Sequence, residues 1–417
     1  MINEHSPVIE LAIYDFEAYH LLSALLNSSA ALLWLKQICF NKGAGEAEER
    51  DRFELQPGKV QQLPLPPLLV TALQGKSNVV AKRLTALAEG CWERGCRLST
   101  LALKKIFEKD GESYQSWNVS LSGYVQPQSR LAAPFHSTAE LHENFQLVVE
   151  FRDKLLWEMI ALQEEIDWLV YAAYNLLPIE SPAVGSVGNA AGGVLLRREH
   201  RPFWLWEQAG GDYDKALNLI PEDWSAERKA SWTARLVTIR DNEHIRRIEQ
   251  PVYKRRWDEQ WKVGNRWICG PVAYAAEFVD AFTWWLAEKA EWYLEHKAKA
   301  GPIELETWTT ALWKDDRIHA AWPVIVDAIH EIESYKSGAN NNKSKIDASL
   351  SAFARFFREL LKDETVPQGI PAALPWDQLE KKRRIPARVK SIRGKLNVPR
   401  ERFHLTSDGH YRWAGKQ

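Results

Sequence analysis

The chain has 417 residues, 45% of them hydrophobic, and a formal net charge of −1. That is length for two or three domains and enough apolar material for a sizeable core. Its four cysteines (Cys39, Cys91, Cys96, Cys269) form no zinc pattern, no signal peptide heads it, and its longest apolar runs are too short for a membrane span. These features argue against a zinc module and a helical membrane span, and lead us to expect reduced thiols in a cytoplasmic protein.

The charge is unevenly spread. Residues 376–417 hold twelve Lys/Arg and four acids, so the tail is +8 and the remainder −9. A basic tail on an acidic body points to an anionic partner. Trp is over-represented: of 20 in the chain, 13 lie between Trp204 and Trp322. A helical core built on large aromatics accounts for them, and so does stacking on nucleic-acid bases; number alone does not choose.

In chain order, residues 6–14 (SPVIELAIY) can form a strand. EAYHLLSALLNSSAALLWLKQI then reads as helix, interrupted at Asn27, Ser28 and Ser29, whose side chains compete for backbone hydrogen bonds. Residues 41–52 read as loop, and FELQPGKVQQLPLP as extended, with a turn at Pro57-Gly58. From Ser77 to about Lys109 the pattern is helical. Leu155, Met159, Leu162, Ile166, Leu169, Ala173 and Leu176 recur at spacings of four and three, a heptad seam on a helix expected over 140–177 and stopped by Pro178. Residues 178–202, rich in Gly, Ala, Ser and Pro, read as a linker or mobile loop. A Trp-rich helical block follows, then a loop at 337–345, the short helix SLSAFARFFRELLK, a Pro-rich connector and the basic tail. The expected fold is mainly α, with a small α+β portion at the N-terminal end and a long heptad helix joining helical lobes. The expected segments are 1–76, 77–177, 178–202, 203–362 and 363–417.

No catalytic constellation emerges. A His-Glu-x-x-His zinc helix is absent; the nearest string, ELHENF, places Glu140, His142 and Glu143 in the polar first turn of the long helix. Asp223 and Glu227-Arg228-Lys229 are too close in sequence for the two strands of a metal-dependent nuclease. GSVGNAAGG lacks the lysine of a phosphate loop, and Gly-x-Ser-x-Gly does not occur. An adenine methylase needs a glycine turn for S-adenosylmethionine and an Asn-Pro-Pro-Tyr-type loop against the flipped base; the closest string is NVPR at 397–400.

Four segments carry a resemblance: LLNSSAALLWLKQICFNKG with ERDRFELQPGKVQQLPLP; FRDKLLWEMIALQEEIDWLVYAAYNL with its Glu-Glu-x-Asp-x-x-Val-Tyr run; IRRIEQPVYKRRW; and IRGKLNVPRERFHL. Together they resemble the part beyond the catalytic domain of large adenine-specific DNA methyltransferases. These are the type IIG-like enzymes and their relatives in BREX (phage growth limitation) and DISARM phage defence. The resemblance implies a non-catalytic DNA-recognition or scaffold portion, inactive alone, with no cofactor of its own. S-adenosylmethionine is then expected on a catalytic partner or missing half. The implied partners are double-stranded DNA, the catalytic methyltransferase half or subunit, and other phage-defence proteins. A helical protein-interaction scaffold without DNA contact is the alternative.

Three groups are candidates for phosphate contact. The first is Lys36, Asn41, Lys42 and Lys59 around the opening loop. The second is Arg246, Arg247, Lys254, Arg255 and Arg256 around Pro251. The third is Arg388, Lys390, Arg393, Lys395, Arg400 and Arg402 in the tail, the densest in charge. Each also has a plain reading: ordinary surface for the first, pairing with Glu243, Glu249, Asp258 and Glu259 for the second, and a solvated or docking arm for the third.

Overall fold

A computed structural model describes residues 16–41, 53–54, 56–76, 78–107, 135–185, 194–255, 257, 262–263, 266–267, 270–298, 301–337, 347–366 and 402–413. The expected strand at 6–14, most of the opening loop and the Pro-rich connector lie outside these residues. So do Lys42, Arg256, Arg388, Lys390, Arg393, Lys395 and Arg400. The fold is mainly α, as the periodicity predicts. Its contacts group into two compact units, each made of two stretches: 1–99 with 152–261, and 100–151 with 262–417.

The first unit opens with α1 (Phe16–Leu26) and α2 (Ser29–Ile38). The break falls at Asn27-Ser28, where Ser28 Oγ accepts from the Ala31 amide and caps α2. Two short strands, β1 (Phe40–Asn41) and β2 (Phe53–Glu54), pair antiparallel. Pro57 does not continue the extended run expected there. It occupies the first turn of α3 (Pro57–Val60), where its missing N–H costs nothing. α4 (Pro67–Leu73) and α5 (Val79–Thr100) follow.

The long helix, α6, spans Thr138–Ala173. At its start Ser137 Oγ accepts from the Glu140 amide while the Glu140 carboxylate takes the His136 amide at 2.7 Å, the polar first turn expected of this segment. The helix ends four residues before the expected stop, and Pro178 plays no part. Asn175 adopts φ 58°. The Leu176 amide reaches back to the Tyr171 carbonyl and the Asn175 amide to the Ala172 carbonyl, a Schellman motif with Asn at the left-handed position. From Leu162 to Ala173 every residue of α6 is buried, so the heptad seam is one side of a helix enclosed all round.

Beyond it, the segment read as a linker supplies core. Ala183, Val184 and Leu196 are fully buried in the first unit. Gly185 has φ 75°, a left-handed backbone that strains any other residue, and a Cβ there would also lie 2.5 Å from Glu165 Oε2. α7 (Pro202–Gln208), α8 (Tyr213–Asn218), α9 (Ala226–Asp241) and α10 (Glu243–Ile248) complete this unit.

The second unit contains β3 (Lys262–Val263) paired with β4 (Arg266–Trp267), α11 (Pro271–His296), α12 (Leu305–Trp313), α13 (Asp316–Ser337) and α14 (Leu350–Glu364). A three-stranded sheet joins β5 (Thr365–Val366), β6 (Phe403–Leu405) and β7 (Tyr411–Trp413) in that order. Its core is aromatic: Trp308 meets Phe357 and Phe403, each at 5.0 Å, and Trp322 meets Phe353 at 5.4 Å. Trp232, Trp257, Trp285, Trp308 and Trp322 are buried while Trp284 and Trp292 are exposed, so packing accounts for much of the Trp-rich block. No single described helix is long and apolar enough to cross a membrane.

The α6 terminus gives a direct test. Asn175→Gly retains or raises stability, because glycine adopts the left-handed region freely. Asn175→Val lowers it by about 1–2 kcal/mol in denaturant unfolding, because a β-branched side chain does not.

Candidate functional site

The Glu-Glu-x-Asp-x-x-Val-Tyr run lies on the enclosed part of α6, and its polar groups are buried with it. Glu164 and Asp167 are fully buried, as are Arg201, which precedes α7, and Tyr171; Lys254 and Glu249, which follow α10, are about 2% exposed. Glu164 Oε2 takes Arg201 Nε at 2.7 Å, and Oε1 accepts the Trp168 indole at 2.9 Å. Lys254 Nζ sits 2.9 Å from Asp167 Oδ2, 2.5 Å from Glu249 Oε1 and 3.5 Å from Glu164 Oε1. Tyr171 donates to Glu249 at 2.6 Å. Asp167 also accepts the Ser29 amide at 2.8 Å and the Ser29 hydroxyl at 2.7 Å, which ties the first turn of α2 to the same cluster.

Two more pairs leave the same helix. Glu165 meets Arg235 of α9 at 2.7 Å, and Glu158 meets Arg94 of α5 at 2.6 Å. One helix therefore fastens α2, α5, α9 and the segments before α7 and after α10 through charged groups.

Three carboxylates and two cations share the central cluster, and burial and neighbouring charge together shift their pKa values. Burial raises the Glu164 carboxyl, but Lys254 and Arg201 outweigh it and bring its pKa to about 2. Burial likewise opposes the charge on Lys254, yet Asp167, Glu164 and Glu249 hold its pKa above the ordinary lysine value. Glu249 goes the other way. Burial first, and the neighbouring Glu164 and Asp167 charges against the pull of Lys254, raise it above the ordinary 4.5. Tyr171, buried beside Glu249, is pushed well above the ordinary tyrosine value.

The structure redistributes the sequence candidates. Lys254 is no phosphate ligand here: it is buried, and its ammonium is surrounded by carboxylates. Lys36 Nζ donates to the Val252 carbonyl at 2.6 Å, and Arg255 donates to Asn27 Oδ1 at 3.2 Å, so both join the opening stretch to the segment after α10. Gln37 and Tyr253 meet at 3.4 Å along the same seam. The two motifs, some 220 residues apart, thus lie against each other. Arg246 is half-buried and donates to the Arg240 carbonyl, Arg247 is exposed, and Lys59 is half-buried on α3. Asn41 lies in β1. In the second unit Arg402 pairs with Glu291 at 2.7 Å and lies 5.4 Å from the Trp284 ring centre. Of the other polar groups weighed for chemistry, Asp223 is exposed ahead of the helical Glu227–Lys229, and no trio of His, Cys, Asp or Glu among the described residues could hold a metal.

Residues that sequence reasoning passed over carry this arrangement: Glu164, Asp167, Arg201, Arg235 and Ser29. The available signal was the set of polar residues Gln163, Glu164, Glu165 and Asp167 flanking Ile166 of the apolar seam.

A comparison with known proteins adds to the geometry. The chain is similar to the adenine-specific methyltransferase PglX of Streptomyces coelicolor, 27% identical over 489 aligned residues that take in 98% of this chain and 33% of that protein. It spans about a third of the length of that relative. No protein-family profile matches the chain, and no solved structure does.

The cluster has a signed pH response. Because the folded pKa of Glu249 is raised, its contribution is fully present below the ordinary value and is lost as pH rises through the raised one. Glu249→Gln, which mimics the neutral acid, removes that fall from a pH series of thermal unfolding. Lys254→Ala leaves buried carboxylates without their cation and costs about 3–5 kcal/mol in denaturant unfolding.

Proposed function

We propose that the chain is the non-catalytic DNA-recognition and scaffold portion of an N6-adenine DNA methyltransferase in bacterial anti-phage defence, acting in the cytoplasm. The single observation that carries this reading is the PglX likeness, which takes in 98% of the chain. In the proposal the methyl donor, S-adenosylmethionine, belongs to a catalytic half or partner subunit. Double-stranded DNA and other phage-defence proteins are the remaining partners. The buried ion cluster supports a positioning role: it holds α2 and the segment after α10 together, so that Arg247 and Lys59 stand on a rigid frame. Phosphate contact by such cations would set register and orientation rather than read sequence.

A second reading, a helical protein scaffold without DNA contact, is favoured by one specific observation. Lys254, Arg255, Lys36 and Arg402, four cations picked from sequence for DNA, are engaged within the protein.

The two readings separate in one experiment, duplex binding by the purified chain across a salt series. Four phosphate contacts give a log–log slope of about −3.6, or roughly 150-fold weaker binding between 50 and 200 mM salt. Absence of duplex binding at the lowest salt, together with salt-insensitive capture of a methyltransferase partner, contradicts the DNA reading and supports the scaffold. Transfer of labelled methyl groups by the chain alone contradicts both.

A further inference from the structure

The first unit contains a cavity of about 490 Å³ between α2, the end of α6 and α10. That volume lies within the range of about 300–1,000 Å³ typical of small-molecule sites. We propose that it binds one unstacked nucleotide, a planar base held within the cavity and its phosphate at the rim.

The wall chemistry narrows the occupant. Trp34 of α2 and Tyr174 after α6 both line the cavity and supply flat π surfaces. The Tyr174 hydroxyl donates to the Pro64 carbonyl at 2.7 Å, and burial pushes its pKa up to about 12, so the ring is fixed in orientation. At the rim stand His244 and Arg247, both exposed and three residues apart on one face of α10. No acid is among the described residues that line this cavity.

A second cavity in the same unit makes the contrast. It has a comparable volume, about 470 Å³, but is lined by Glu165, Asp223 and Glu227, and Arg228 already lies 3.5 Å from the Trp224 ring centre within it. An anionic ligand is repelled there and attracted at the Arg247 rim. Aromatic faces and a basic side chain at the mouth are elements that hold unstacked bases in single-strand binding proteins.

A base with its phosphate could come from DNA, as a nucleotide turned out of the duplex, or from solution. The first source rests on the DNA reading above; the second does not. The experiment has an arm for each. Equilibrium dialysis of the full chain with deoxyadenosine monophosphate reads the site alone. Fluorescence of duplexes containing 2-aminopurine reads extrusion, because the probe brightens when it leaves the stack. The salt series reads duplex binding separately.

Saturable binding of the mononucleotide is expected. Trp34→Leu should weaken it about tenfold or more, and the exposed substitution Arg247→Ala by several-fold, with far-UV circular dichroism melts confirming that both variants fold. A 2-aminopurine signal lost in Trp34→Leu supports the DNA source; mononucleotide binding without duplex binding supports the solution source and contradicts the DNA reading. Duplex binding with neither nucleotide response overturns the proposal while leaving the DNA reading intact. Equal binding of deoxyribose 5-phosphate, or of an aromatic peptide without a phosphate, also overturns it.

Discussion

The first unit depends on one interaction, the burial of Lys254 among Asp167, Glu249 and Glu164 with Arg201 alongside. Taking five ionisable groups out of water is expensive, and mutual attraction recovers the cost only when geometry is good and the remaining hydrogen-bonding groups are satisfied. Here most of them are: Trp168, Tyr171, Ser29 and the Arg255 carbonyl complete the shells. Burial first, and then the Glu164 and Asp167 charges, raise the pKa of Glu249 above its ordinary value against the pull of Lys254. Such a cluster specifies geometry more than it adds stability, because any slippage of α6 along its axis unpairs several groups at once.

That specificity explains why distant segments meet. α2 arrives through Ser29, the post-α10 segment through Glu249 and Lys254, and the pre-α7 segment through Arg201, all on two turns of one helix. The seam between α2 and residues 252–255 is then closed by Lys36, Gln37 and Asn27. The cavity lined by Trp34 and Arg247 lies beside that seam, so its shape is inherited from the lock. The second unit solves the same packing problem differently, with aromatic rings around Trp308, Trp322 and Phe282.

Much of the helical layout was legible, and some of the site. The Asn27–Ser29 break was readable because short polar side chains cap helices. The span of α6 was readable from its apolar period, but its end was not. Asn175 stops it through a left-handed turn, a role that Asn can fill but does not announce, whereas the nearby Pro178 looked like the natural breaker. Residues 178–202 looked like a linker because small residues mark loops, yet the Ala183 carbonyl accepts from Arg235 and Gly185 lies against Glu165. The site was misread for a related reason. A lysine in a run of basic residues looks like a phosphate ligand, and nothing local to Lys254 shows that Asp167, 87 positions earlier, claims it. Charge pairs between remote segments have no periodicity, and the clue lay instead in α6, where Glu164 and Asp167 sit on a face that ends up enclosed.

The central claim, that the ion cluster locks these segments as one body, is tested most directly by amide hydrogen exchange in Lys254→Met. If the lock operates, amides of α2 and α10 lose protection together and by the same factor, although neither helix contains the substituted residue. If only the amides flanking position 254 exchange faster while α2 keeps its protection, the segments are held by apolar packing and the account is wrong.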